Sequence, residues 1–233
     1  MRDGQLTMSQ HESAKARRRG AVEPLLVASL WLATCSIALY MAMGYDFTPG
    51  SLGPRQAAWP PETDARAPAD LARHPDKTTI VAFLHPRCVC SYASVKQLVK
   101  TMKAHPGAEL IVPVFTPPDA NDAAAGWADA ASVQMVRAEL PAARIVADRG
   151  GLQAKRFGAL TSGTMLIYDA DGRELFRGGI TERRGGEGDN PSVQQFVRVL
   201  TGERSAQAAP SPVFGCPLVM PETMEQSSGD VRR

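Results

Sequence analysis

Cysteine is scarce in this chain, with four in 233 residues. That is too few to staple a small disulfide scaffold, so each cysteine is read singly. Charge of one sign is also missing: 26 Lys+Arg stand against 24 Asp+Glu, leaving +2. No long basic stripe exists, and nothing calls for a nucleic-acid partner. A phosphate-binding glycine loop, a Ser-His-Asp order and an internal repeat are all absent. Glycine and proline, 20 and 18, are too few for a low-complexity chain. What remains, 44% hydrophobic and 21% charged, is the composition of a folding protein of one ordinary domain plus extras.

One long apolar run is present. From Pro24 to Tyr45 no charge interrupts the sequence between Glu23 and Asp46. Roughly 20 such residues at 1.5 Å rise cross a ~30 Å hydrocarbon core. A soluble core helix and a cleaved signal peptide are the rival readings. The run is longer than a signal core and lacks a small-x-small cleavage site. Cys35, inside it, reads as a lipid-facing or packed residue. Arg2, Lys15, Arg17, Arg18 and Arg19 precede the run, while Arg55 alone follows within fifteen residues. This bias predicts a single-pass protein with its N-terminus in the cytoplasm. In a bacterium the rest lies in the periplasm, anchored to the inner membrane. Cys88, Cys90 and Cys216 then face an oxidising compartment.

The chain divides accordingly into a cytoplasmic segment 1–23, a transmembrane helix 24–45, a Pro-rich linker 46–76, a domain 77–202 and a tail 203–233. Pro49, Pro54, Pro60, Pro61, Pro68 and Pro75 give the linker the character of a spacer. The domain opens on a strand-like run, Thr78–Leu84. A helical stripe follows at Val95, Leu98, Val99 and Met102. Glu109–Phe115 predicts a second strand and Asn121–Leu140 a helix. Arg144–Ala147 predicts a third strand and Leu152–Phe157 a short helix. Thr164–Tyr168 and Glu174–Phe176 flank the turn Asp169-Ala170-Asp171-Gly172, which predicts a hairpin. Val193, Phe196, Val197 and Leu200 mark a last helix. Alternating elements closed by a hairpin and helix predict an α/β domain, its first three strands parallel and its hairpin antiparallel.

Chemistry concentrates between the first strand and first helix, at Phe83-Leu84-His85-Pro86-Arg87-Cys88-Val89-Cys90-Ser91. A thiol at a helix N-terminus meets orphan N–H groups and the positive end of the dipole. Both favour thiolate, the nucleophile of disulfide exchange. Phe83 stands five residues before Cys88, and Asp148-Arg149-Gly150-Gly151 leads to Ala154, Phe157 and Gly158. With Thr164-Met165-Leu166-Ile167-Tyr168-Asp169-Ala170-Asp171-Gly172, these features resemble the thioredoxin superfamily. The likeness is to its membrane-anchored periplasmic branch, RedB-like proteins most of all, and covers about Asp76–Thr201. The resemblance implies a thioredoxin-like α/β fold, a central mixed sheet flanked by helices, preceded here by the transmembrane helix.

The same resemblance assigns Cys88 the nucleophilic position and Ser91 the second, resolving one, giving C-x-x-S. Gly163, before Thr164, takes the place of the family's cis-proline, and Arg87 that of a tryptophan. Substrate contact is thereby expected at His85, Ser91, Gly163 and Thr164. Cys90 adds a C-x-C whose disulfide would close a strained ring of about eleven atoms. Cys216 sits in Pro212-Val213-Phe214-Gly215-Cys216-Pro217-Leu218, an apolar island in a polar tail. The pairs 88–90, 88–216 and 90–216 all stay open, so Cys88, Cys90 and Cys216 are the candidate catalytic residues. The expected activity is thiol-disulfide exchange on envelope-protein thiols or disulfides, with no cofactor. A soft-metal site using these cysteines and His85 is one alternative, a non-catalytic interaction domain another. His74 and His105 read as surface residues. The loop Gly178–Asn190 is long enough to border the cysteines.

Overall fold

The computed structural model describes residues 3–60, 71–118, 126, 129–203 and 209–219. The chain forms two units, 1–46 and 47–233. The first is helix α1 (Asp3–Phe47), whose stretch Pro24–Phe47 has mean hydropathy 1.9 and buries nothing. Its hydroxyls turn inward: Ser29 donates to the Leu25 carbonyl at 2.7 Å and Thr34 to that of Leu30 at 2.8 Å. This back-bonding satisfies polar groups that an apolar solvent would leave bare. The helix is long and apolar enough, by length and composition, to cross a membrane, as an anchor or a signal sequence would.

The second unit holds β1 (Thr79–Phe83), α2 (Val89–Ala104), β2 (Glu109–Thr116), α3 (Ala131–Glu139) and β3 (Arg144–Arg149). Then come α4 (Leu152–Arg156), β4 (Thr164–Tyr168), β5 (Glu174–Gly178) and α5 (Pro191–Leu200). The expected helix over 121–140 is seen as α3; most of its first half lies outside the described residues. The sheet runs β3-β2-β1-β4-β5. β1, β2 and β3 are parallel, joined by crossover helices, and β4 and β5 are antiparallel. This is the thioredoxin-like fold, a mixed five-stranded sheet flanked by helices.

Central strand β1 is buried throughout, and its alternation builds two cores. Ile80, Ala82 and Leu84 face α2 and α5 with Val112, Met165, Phe176 and Phe196. Val81 and Phe83 face the other way, with Phe157, Leu166 and Tyr168. Asn190 caps α5 by accepting the backbone N–H groups of Ser192 and Val193, both at 3.0 Å.

Besides residues 71–76, whose Leu71 is buried with Ile111 and Val146, two segments outside the expected domain are folded onto it. The first corrects the linker reading: residues 48–60 are a strap, not a free spacer. Trp59 packs edge-on against Phe157 and Tyr168, with centroids 5.1 and 4.9 Å apart. The Trp59 backbone N–H donates to the Gly172 carbonyl at 2.7 Å, and the Glu174 backbone N–H donates to the Ala57 carbonyl at 3.2 Å. Glycine permits the close approach at Gly53, where a Cβ would lie 2.8 Å from the Gly158 Cα. The second segment is the tail island, with Val213, Phe214 and Leu218 buried. Strap and island cover opposite ends of the outer edge of β5, bridging at Ala58↔Arg173 and Gly178↔Ser211.

Candidate functional site

β1 delivers the chain to the site. After Phe83, Leu84 continues beside β2, its N–H donating to Pro113 at 3.0 Å. The turn His85-Pro86-Arg87 follows, and Cys88 N–H closes it onto the His85 carbonyl at 3.0 Å. Cys88 is the N-cap of α2, with φ −85° and ψ 109°, so its thiol lies at the helix mouth and not along the helix flank. It is buried, whereas Cys90 and Cys216 are half-buried; all three are free thiols.

A hydroxyl chain reaches the sulfur. The His85 N–H donates to Ser162 Oγ at 2.6 Å, and Ser162 Oγ lies 2.5 Å from Ser91 Oγ. Ser91 hydrogen-bonds to the Cys88 sulfur through side chain and backbone. A hydroxyl has one proton to give. With Ser91 donating to sulfur, Ser162 donates to Ser91, and the fixed backbone N–H orients both. From the opposite side the Cys216 N–H donates to Cys88 Sγ at 3.3 Å.

These contacts set the thiols apart. Burial pushes Cys88 up, but hydrogen bonds from Ser91 and Cys216 outweigh it, and the net shift is down. Cys216 is pushed up to about 12 by burial, by its hydrogen bond to Cys88 and by the charge there. Cys90 is raised by burial and by Cys88, with Arg184 pulling the other way. Among the three, Cys88 is therefore the thiol most readily ionised, while Cys90 and Cys216 hold their protons more tightly.

Arg184, from the loop after β5, stands over this group. It donates to the Gly215 carbonyl at 2.9 Å and to Thr48 at 3.4 Å, joining the cysteines, the island and the strap. The island is held by backbone hydrogen bonds as well as by its buried side chains. Ser162 N–H donates to Cys216 and Leu218 N–H to Leu160, both at 2.8 Å, forming an antiparallel bridge at Thr161↔Pro217. Gly50 N–H donates to the Val213 carbonyl at 2.8 Å.

Among the residues singled out in the sequence, Cys88, Cys90, Ser91 and Cys216 converge. Gly163 borders them with φ +90°; a Cβ there would meet Ser94 Oγ at 3.1 Å and the Phe214 carbonyl at 3.9 Å. Thr164 is buried and turned away, donating to the Thr161 carbonyl at 2.6 Å. The His85 ring stacks on Phe115 at 5.3 Å, and burial, then Arg87, lowers its pKa. Among the described residues no three His, Cys, Asp or Glu side chains cluster as a metal-holding set. Ser162 and Arg184 escaped the sequence reading. Ser162 carries only its place beside Gly163, and Arg184 is one of several charges in a long loop.

No protein-family model and no curated protein matches the chain. Solved structures do. A hypothetical protein from Sinorhizobium meliloti is 19% identical, with TM-score 0.49, over 76% of this chain and 99% of its own. A thioredoxin-like protein from Aeropyrum pernix is 15% identical, with TM-score 0.40, over 74% of this chain and 98% of its own. A secreted disulfide oxidoreductase from Mycobacterium tuberculosis is 18% identical, with TM-score 0.33, over 42% of this chain and 66% of its own.

Proposed function

We propose that this protein is a thiol-disulfide exchange protein of the cell envelope, anchored by α1, with Cys88 as nucleophile and Cys216 as resolving thiol. The observation that carries this reading is the Cys216 N–H seated on the Cys88 sulfur at 3.3 Å. A thiolate stabilised there attacks a partner disulfide, forms a mixed disulfide and expels the partner's other sulfur as thiolate. Cys216, once deprotonated, attacks the Cys88 sulfur, releases the second partner thiol and leaves an 88–216 disulfide. A partner dithiol runs the same steps backwards. Each transfer moves one sulfur–sulfur bond and conserves electrons. Burial is the first cause of the raised Cys216, and the hydrogen bond to Cys88 and the charge there add to it, so consuming Cys88 in a mixed disulfide eases the deprotonation of Cys216.

Cys90 is the weaker resolving candidate. It follows an N-cap residue within the helix, and its bridge to Cys88 would close the small C-x-C ring. The RedB-like likeness and the inner-membrane, periplasm-facing orientation belong to this proposal, supported by the apolar helix and the Lys/Arg bias.

The test is redox titration of the full chain in detergent, read by mass and peptide mapping. The oxidised form should carry an 88–216 cross-link with free Cys90. Cys88→Ser should abolish exchange. Ser91→Ala should keep most of it while slowing Cys88 alkylation several-fold at neutral pH. An 88–90 bridge with free Cys216 would overturn the assignment of Cys216, and exchange surviving Cys88→Ser would overturn the whole reading.

A further inference from the structure

The island occupies the ground directly over the Cys88 sulfur. Its contacts there divide into two kinds. The backbone contacts are blind to sequence: Ser162 N–H to the Cys216 carbonyl, Leu218 N–H to Leu160, and the cysteine N–H to the sulfur itself. Any extended peptide with a backbone N–H at these positions reproduces them. The side-chain contacts are selective. Val213 and Phe214, three and two residues before the cysteine, are buried, as is Leu218 two residues after it, while Pro212 and Pro217 face solvent. Directly before the cysteine a Cβ on Gly215 would overlap the Ser162 carbonyl, so no side chain fits. The pairing is an isolated bridge, not a strand ladder, and no disulfide holds the segment.

We propose that residues 213–218 are a built-in stand-in for the substrate. The groove between the loop 160–162, Gly50 and Arg184 receives an extended partner segment bearing a Gly-Cys pair with apolar residues before and after it. The protein's own tail competes for that groove, leaves it when such a partner binds, and brings Cys216 back to the Cys88 sulfur as the partner segment withdraws. This rests on the exchange reading for its purpose but not for its measurement, which reads binding alone.

The probe is a fluorescent peptide of the island sequence, Pro-Val-Phe-Gly-Cys-Pro-Leu, titrated by anisotropy under reducing conditions against the full chain in detergent. Two tail changes expel the competitor by different means: Phe214→Ala removes its apolar anchor, and Gly215→Val drives a side chain into Ser162. Both variants should bind the peptide at least tenfold more tightly than the unaltered chain. A second peptide, with valine in place of glycine before cysteine, should bind neither. Equal binding by altered and unaltered chains overturns the competition. Equal binding of the two peptides overturns the Gly-Cys rule. Loss of cooperative unfolding in both tail variants would make the island a fixed part of the core and overturn the inference as well. Failed competition alongside an 88–216 cross-link would leave the exchange reading standing and remove only this one.

Discussion

Burial and hydrogen bonding oppose one another at Cys88 and at Asp148, and the outcome differs between the two. At Cys88 the hydrogen bonds win and the thiolate is favoured. At Asp148, only 1% exposed, burial wins: the carboxyl is raised to about 6 although it accepts the N–H groups of Gln153 at 2.7 Å and Ala154 at 2.9 Å. A carboxyl whose folded pKa exceeds its unfolded one binds more protons when folded. Its contribution to stability is therefore greatest below about pH 4 and is lost as pH rises through about 6. The full change is on the order of 3 kcal/mol. Asp148→Asn removes it. Denaturant unfolding at pH 4, 5, 6, 7 and 8 should show the stability difference, wild type minus variant, falling as pH rises through about 6 and levelling only above it. A difference that is flat, or that rises, would show that Asp148 does not titrate in this way.

Elements differ in how far the sequence exposed them. The central strands and α5 were legible because one buried face imposes a period of two or 3.6 on local sequence. The seats of Ser162 and Arg184 were not, because loop residues gain their partners from segments distant along the chain, here Ser91, Gly215 and Thr48. The island was half legible: Val213 and Phe214 announced an apolar cluster, and nothing local said where it docks. Arg177 on β5 is another element-scale device the sequence concealed. It is buried, pairs with Glu174 at 2.6 Å, and donates to the carbonyls of Phe157 at 2.8 Å and Gly158 at 3.0 Å. It thereby ties the hairpin to the turn after α4. Arg177→Met leaves the buried Glu174 with only Arg55 as cation, at 3.0 Å, and should cost about 3–5 kcal/mol. Adding Glu174→Leu should recover most of that loss, since the buried charge goes with it. Unfolding midpoints in urea check both steps, and a harmless single change would show the pair to be dispensable.

At the scale of the whole molecule, the strap changes where the folded unit begins. A fragment starting at Leu71 keeps every strand and helix of the α/β layers but loses residues 48–60. With them go the Trp59 contacts to Phe157 and Tyr168, the Arg55–Glu174 pair and the Gly50–Val213 hydrogen bond. Losing a half-buried tryptophan alone costs about 2–3 kcal/mol, less than the ~3–5 kcal/mol of a fully buried one. The fragment 71–233 should therefore fold but unfold at lower denaturant than 48–233 by that order, with Trp59→Ala in the longer fragment reproducing most of the difference. The strap's second effect is on the site. Burying Val213, Phe214 and Leu218 contributes roughly 1.5–3 kcal/mol each, against about 1–2 kcal/mol for ordering each tail residue. Docking is thus closely balanced, and one lost backbone hydrogen bond shifts it. In 71–233 the Cys88 thiol should accordingly react faster with a bulky maleimide than in 48–233, read by mass at fixed pH. Equal midpoints and equal labelling rates would reduce the strap to a passive tether.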